Sequence, residues 1–440
     1  MSAALPPAAV CQAGCAQEAI TPPLGVLLAG YFHERVAARL RDDLFARAVV
    51  VGEGEERLAL VSCDLIGIDR EVAEGARERI QAQAGILPER VLICATHTHT
   101  GPELRPERAV PRALQWARAL PERIAAAVVR AAATPFAATL RAGRIQVEGY
   151  SFNRLFRQRD GSEVFGRRPE EVGPAGPIDP ELQTLSLVDT EGRLRCLLVN
   201  FALHPDVIGG ASADFISADW PGELARNLAA VYGPEVVTLF LQGTAGDINH
   251  VVHDPTHLPR GGEAKAVQLG RALGGAAICA SERAEPMAAV PLAARWHTLE
   301  VPYYTRDASF LAELAELERK PDPTPFERYV VQQGRAWPHD GQLAQVPRQV
   351  LRLGDVGVVG LPAEIFVRIG LEIKHYSPAP HTFVVELANA SVSTYVPTTD
   401  QAERGAYGAR PILSRWLCAD AGRRLADAAQ TMLWEVWGAR

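Results

Sequence analysis

A single α/β domain, with a mixed β-sheet core flanked by helices and a site at strand ends, is what this sequence predicts. Short apolar, β-branched runs alternate with segments of helical period along most of the chain. Three of those runs, at 91–96, 196–203 and 236–241, release polar, ligand-capable residues into Gly/Pro-rich loops. Open α/β sheets build their sites in such places. No internal repeat and no clean linker divides the 440 residues, so one domain over 1–440 is expected, with a ragged start about 1–12.

In chain order, 42–51 leads into a strand, the Gly-Glu-rich stretch 52–56 turns it, and 57–62 is a second strand ending at Cys63-Asp64. The segment 71–83 reads as a helix, with Gly85 and Pro88 marking the loop before the strand at 91–96. Residues 112–132 are helical in pattern, interrupted at Pro121 and terminated by Thr134-Pro135. The polar Arg/Gly/Pro-rich segment 149–180 reads as a long functional loop. Strands at 184–188, 195–203 and 236–241 then alternate with helices at 221–230 and 263–280. A β-like stretch at 291–301 precedes a charged helix at 308–319, and 321–347 is a Pro/Gln-rich excursion without a period. Strands return over 349–361, a helix opens at Glu364 and runs to His375, 383–387 is a strand, and 415–437 is an amphipathic helix.

A formal net charge of -7 argues against non-specific nucleic-acid binding and against a basic membrane patch. No stretch reaches the 18 or so uninterrupted apolar residues of a membrane span. Residues 1–9 hold no Lys or Arg before a short apolar stretch, so they do not read as a secretory signal. The seven cysteines are odd in number and mostly sit in apolar patterns, which reads as buried free thiols; a cytoplasmic location is the expectation.

The most informative stretch is Ala95-Thr96-His97-Thr98-His99-Thr100-Gly101-Pro102. If the strand's alternation continues through it, His97 and His99 share a face, one free to bind a metal while the other works nearby as acid or base. The plain alternative is a pair of surface-turn histidines. Asn200-Phe201-Ala202-Leu203-His204-Pro205 supplies a third imidazole at another strand end. Asp219 either supports the metal ligands or caps the helix that begins near Pro221. Asp247 is a site residue or an Asx turn. His250, His253 and His257 offer a second metal cluster, but their irregular spacing among ordinary loop residues favours the plain reading of loop histidines.

Taken with Asn153-Arg154, Ile216-Ser217-Ala218-Asp219-Trp220-Pro221-Gly222, Gln242 to Asn249, Leu361-Pro362-Ala363-Glu364 and Tyr395-Val396-Pro397-Thr398-Thr399 with Tyr407 beyond, these motifs resemble the neutral (non-lysosomal) ceramidase family, N-terminal catalytic domain. They run in family order over roughly residues 14 to 410. The resemblance implies a Zn2+ ion held by His97, His204, Glu364 and Tyr395. Two imidazoles and a carboxylate are a common catalytic zinc set, and zinc lowers the pKa of bound water toward about 7. It further implies His99 as acid/base or oxyanion partner, and Arg154 and Tyr407 beside the reacting group. Gly30 falls where backbone approaches substrate, and Asn249 at a substrate-side position. Read without the resemblance, Glu364 is a helix first-turn carboxylate facing the macrodipole and Arg154 and Tyr407 are solvated loop residues.

Two departures bear on substrate. The family reads Gly-Asp-x-Ser-Pro where this chain has Gly246-Asp247-Ile248-Asn249-His250, which removes a hydroxyl and leaves a hydrogen-bonding amide. The expected form is also the short one, without the C-terminal immunoglobulin-like domain. The implied activity is zinc-dependent hydrolysis of an N-acyl amide, of ceramide or of a smaller substrate. An ester or lactone hydrolase using the same metal, and a non-catalytic metal-binding homologue, are the alternatives. No Gly-x-Ser-x-Gly elbow supports a serine hydrolase.

Overall fold

The computed structural model describes residues 8–438 apart from 32, 106–107, 167–169, 211–212 and 252–258. Its larger sheet has eight strands: β1 (Cys11–Ala19), β2 (Phe45–Val51), β3 (Leu58–Cys63), β4 (Val91–Ala95), β5 (Phe136–Gln146), β6 (Glu181–Asp189), β7 (Leu194–Phe201) and β8 (Val237–Gln242). Their order is β8-β7-β6-β5-β1-β2-β3-β4. Inner pairings are antiparallel, whereas β3 with β4 and β7 with β8, at the two edges, are parallel. Parallel neighbours need crossovers. The chain supplies helix α1 (Arg70–Ala84) for the first; α2 (Pro111–Ala117) and α3 (Leu120–Ala133) follow β4, α4 (Asp219–Tyr232) makes the second crossover, and α5 (Gly262–Glu282) follows β8.

Side-chain alternation sorts the strands between two cores. Ala46, Ala48, Val50, Val61 and Ile93 pack with α1 and α3, while Val49, Val51, Leu60, Leu92 and Cys94 turn to the opposite face. Helix α1 buries Ala73, Ala76, Arg77 and Ile80 on one stripe and stops at Gly85, whose φ of 66° lets its N–H cap Gln81. Gly14 marks where α3 lies on β1: a Cβ there would stand 1.9 Å from the Ala131 carbonyl oxygen.

The opposite face meets a second sheet, β9 (Leu292–Pro302), β10 (Leu343–Leu353), β11 (Val356–Gly360) and β12 (His381–Val385), through Leu351, Val356, Val358 and Phe383. The remaining helices are α6 (Ala308–Arg319), α7 (Pro325–Ala336), α8 (Val367–His375), α9 (Thr399–Glu403) and α10 (Ala421–Trp437). Helix α10 covers the outer face of the second sheet with Leu425, Ala429, Met432 and Leu433.

The two edges of the large sheet lie close together at one end. The Ser62 hydroxyl of β3 donates to the Phe240 carbonyl of β8. Beyond β12, the N–H of Glu386 donates to Gln242 O (3.0 Å) at one edge, while Leu387 O accepts from Ala95 N (3.2 Å) and Asn389 N donates to Ile93 O (2.7 Å) at the other. Asn389 completes the tie: its Oδ1 accepts from Ile93 N (3.1 Å) and from the buried Arg77 guanidinium, and its Nδ2 donates to Gln349 Oε1 (2.9 Å).

Several expected elements are corrected. Strand β1 begins at Cys11 and lies in the middle of the large sheet. Gly14 and Ala16 are small on the face where α3 lies, while Cys11, Ala13 and Cys15 turn to the opposite core. The helical stretch expected over 112–132 is two helices, with Pro121 in the first turn of the second. The loop expected at 149–180 contains a three-stranded sheet of Leu155–Gln158, Glu163–Phe165 and Glu171–Pro174, strands too short to show a period. The excursion at 321–347 holds α7 and the start of β10; Pro325 opens that helix beneath a Thr324/Glu327 capping box. The C-terminal helix begins at Ala421, not at 415.

Asn389→Ala leaves the Ile93 N–H, the Arg77 guanidinium and Gln349 short of a buried partner. It is expected to lower stability by about 2–4 kcal/mol, read as a fall in the urea midpoint with unchanged m-value.

Candidate metal centre and active site

Strand β4 ends at Ala95, and His97 takes φ 72°. The strand alternation expected to align the two histidines therefore stops short of them. What aligns them is a set of fixed loop contacts. His97 N donates to Leu65 O (2.9 Å) and its Nδ1 to Ile66 O (2.6 Å). His99 N donates to Pro205 O (3.2 Å), and His99 O accepts from Arg35 Nη2 (2.7 Å). His204, just past β7, donates from Nδ1 to Ala245 O (3.3 Å). A ring that donates from Nδ1 turns the lone pair of Nε2 the other way.

Those lone pairs meet. Nε2 of His97 lies 3.0 Å from that of His204, and Nε2 of His99 lies 3.3 and 3.1 Å from the two. Glu364 brings Oε2 to 3.4 Å from His97 Nε2 and 3.8 Å from His204 Nε2, and among the described residues no donor satisfies that buried oxygen. Burial, with His97 and Arg154 acting in the same direction, holds His99 and His204 far below the usual imidazole range. Burial opposes ionisation of Glu364, yet His97, His99 and Arg154 outweigh it and keep its carboxyl below the ordinary range. Acceptors aimed at one another are repulsive unless a cation lies among them. Zn–N bonds of about 2.0–2.1 Å in a tetrahedron space nitrogens about 3.3–3.4 Å apart, close to the observed separations. His97, His99 and His204 form a buried group able to hold a metal ion.

Glu364 is not in a helix first turn. It lies in a two-residue strand, Glu364–Ile365, whose parallel partner is Tyr395–Val396, and the register sets Glu364 opposite Tyr395. Helix α8 starts only at Val367. The Tyr395 hydroxyl lies 3.5 Å from Arg154 Nη1, and burial together with Glu364 pushes its phenol far above the usual range. Arg154 also donates to Gly246 O (3.1 Å) and stacks its guanidinium 4.4 Å over the Tyr407 ring. Burial works against its charge, but Tyr395, Tyr407 and Glu364 more than restore it. Tyr407, 44% exposed, marks the solvent side.

Gly30 lies against His99: with φ at 95°, a Cβ there would stand 2.2 Å from His99 Nδ1. The Asn249 side-chain oxygen accepts from the N–H groups of His250 (2.6 Å) and Val251 (3.2 Å), a turn-forming arrangement. Asp219 is taken by the backbone N–H groups of Val207, Ile208 and Trp220, so it fixes the loop after His204 without touching an imidazole. His250 is buried, whereas His253 and His257 lie outside the described residues.

Asp247 does more than make a turn. Its Oδ1 accepts from Val367 N (2.7 Å), its Oδ2 from Asn153 Nδ2 (2.9 Å) and Gln401 Nε2 (3.4 Å), and its carbonyl from Arg154 N (2.7 Å). One residue thus ties the segments carrying Glu364 and Arg154. Buried Glu386, which sequence reasoning misses, receives Ile365 N (2.6 Å) beside Glu364. Also missed are Tyr31 and Asp206, which flank His99. The acid two places after His204 is the local signal for the second.

Gly30→Ala is expected to displace the His99 ring and lower stability by about 1–3 kcal/mol through its backbone strain. Gly275→Ala, whose added Cβ meets nothing within 4 Å, serves as control. Crystal structures and melting curves of both variants check this; an unmoved His99 ring rejects it.

The fold has solved counterparts. The crystal structure of neutral ceramidase from Pseudomonas aeruginosa matches with a TM-score of 0.76 at 20% identity, covering 98% of this chain and 75% of that one. A ceramidase complexed with C2 matches with a TM-score of 0.72 at 20% identity, covering 97% and 74%. At that identity the likeness is one of fold. The sequence family described as neutral/alkaline non-lysosomal ceramidase, N-terminal, matches residues 12–258, a span that carries the three clustered histidines and Arg154. With more than half its length matched and its whole fold shared, this chain belongs to the neutral/alkaline non-lysosomal ceramidase family.

Proposed function

We propose that this chain is a zinc-dependent amidohydrolase that cleaves an N-acyl amide, either ceramide or a smaller amide, with His97, His204, Glu364 and Tyr395 as metal ligands. The carrying observation is the buried convergence of the His97 and His204 lone pairs beside the Oε2 of Glu364, which has no donor among the described residues. Family membership supports amide chemistry. Nitrogen and carboxylate donors together suit zinc better than magnesium or calcium. Zinc, when bound, supplies Lewis acidity toward an acyl oxygen and lowers the pKa of water toward about 7.

The chain's own residues do the rest. His99, kept neutral by burial, accepts a proton at Nε2 as water adds to the acyl carbon, and returns it to the amine nitrogen as the C–N bond breaks. Arg154, a cation held by Gly246 O and the Tyr407 ring, faces the negative charge that develops on the acyl oxygen. Gly30 leaves room for His99, and the loop shaped by Asn249 borders the substrate side. We take residues 1–440 as one catalytic domain. No described helix is long and apolar enough to cross a membrane. Seven unpaired cysteines fit a reducing compartment, and the cytoplasm is the location we assign.

Purified protein is expected to carry about one zinc per chain and to lose metal and activity together in His97→Ala. The assay pairs elemental analysis with N-acyl amides from acetyl to palmitoyl, including a fluorescent ceramide. Zinc retained in the variant places the metal elsewhere. Arg154→Ala is expected to keep its zinc and lose about 10²–10³ in kcat; an unchanged kcat removes Arg154 from the oxyanion role.

A further inference from the structure

Of the three clustered imidazoles, two have the nitrogen facing away from the centre satisfied by a backbone carbonyl, Ile66 for His97 and Ala245 for His204. The third does not. Among the described residues His99 Nδ1 is buried without a hydrogen-bond partner, and a buried polar atom in that state calls for an account. Asp206 Oδ1 stands 3.8 Å away, beyond hydrogen-bond reach but within that of a small ring or loop adjustment. That oxygen also accepts a hydrogen bond from the Tyr31 hydroxyl, and the Tyr31 ring packs edge-on against His99 at 5.7 Å between centroids. Two glycines clear space for this group. A Cβ at Gly30 would stand 2.2 Å from His99 Nδ1, and one at Gly209 would stand 2.6 Å from both Asp206 Oδ1 and the Tyr31 oxygen.

We propose that Asp206, held by Tyr31, is the positioning residue that fixes the tautomer and orientation of His99. It does for His99 what carbonyls do for His97 and His204. The role rests on the reaction proposed above only through His99, which needs a proton on Nδ1 and a free lone pair on Nε2 whether it ligates the metal or moves a proton. Carboxylate–imidazole links of this kind orient metal-site histidines, and their loss costs about 10–100-fold in metal affinity or activity. Asparagine in place of Asp206 keeps the shape but can offer N–H to Nδ1, which selects the opposite tautomer.

The test uses the full-length chain with Co²⁺ as probe, its affinity measured by chelator competition and its absorption spectrum recorded. Asp206→Asn is expected to lose about 10–100-fold in kcat while KM and Co²⁺ affinity each move less than about twofold, and to alter the Co²⁺ absorption spectrum. Tyr31→Phe is expected to move the same readouts in the same direction by a smaller factor. Asp206→Glu should recover part of the loss. A wild-type spectrum and kcat in Asp206→Asn overturn the proposal. If Asp206→Asn fails to fold, Tyr31→Phe decides: a lowered kcat with an altered Co²⁺ spectrum supports the role, and wild-type values of both overturn it. A wild-type chain that binds Co²⁺ but cleaves none of the amides rejects the proposed reaction, while the Co²⁺ spectra of the variants still decide the role of Asp206. A wild-type chain that binds no Co²⁺ overturns both.

Discussion

The structure depends on a closure. The two parallel edge pairs of the large sheet are at opposite ends of its strand order, and the backbone from Glu386 to Asn389 hydrogen-bonds to both. His97 and His99 follow one edge strand; His204 and Asp247 follow the strands of the other. Without that tie, loops far apart in the strand order have no reason to share a centre. Ligand sites form beyond the carboxyl ends of parallel strands in open sheets, and here two such ends are folded into one.

Closure has a cost that the local chemistry shows. Non-glycine residues with positive φ include His97, Asp219, Leu387 and Asn389, all in or beside the loops that build the site. Each such conformation costs of order 1–3 kcal/mol where its surroundings enforce it. The imidazoles add a second cost, because lone pairs facing one another in a dry pocket are unfavourable until something positive joins them. The large shared cores around both sheets supply the stability against which these local costs are set.

Histidine positions are legible in the sequence because each is a local event, an apolar run ending in His-x-His or His-Pro. The strand–helix alternation from β6 to α5 is legible for the same reason. The link between Glu364 and Tyr395 is not. It is a two-residue ladder between segments separated by α8 and β12, and no local period reports it. Asp247 reads as a turn residue because its four contacts lie in three other segments. Strand β1 is obscured by the small residues that the overlying helix requires, and α7 by a proline that reads as a breaker but starts the helix. What the sequence conceals is in each case a contact made by distant parts of the chain.

The Glu364–Tyr395 pairing constrains how this protein can change. In a parallel ladder the side-chain period is two, so a slip of one residue would turn Ile365 or Val396 inward in place of a donor. The intervening helix can accept substitution on its outer face, whereas β12 is buried on both of its faces. An insertion or deletion that shifts either end of that ladder by one residue cannot be absorbed there, since it would exchange a polar wall of the site for an apolar one. Divergence in this part of the chain should therefore proceed by replacement at constant register, and length variation should collect where no donor depends on pairing, as in the exposed turn between α6 and α7.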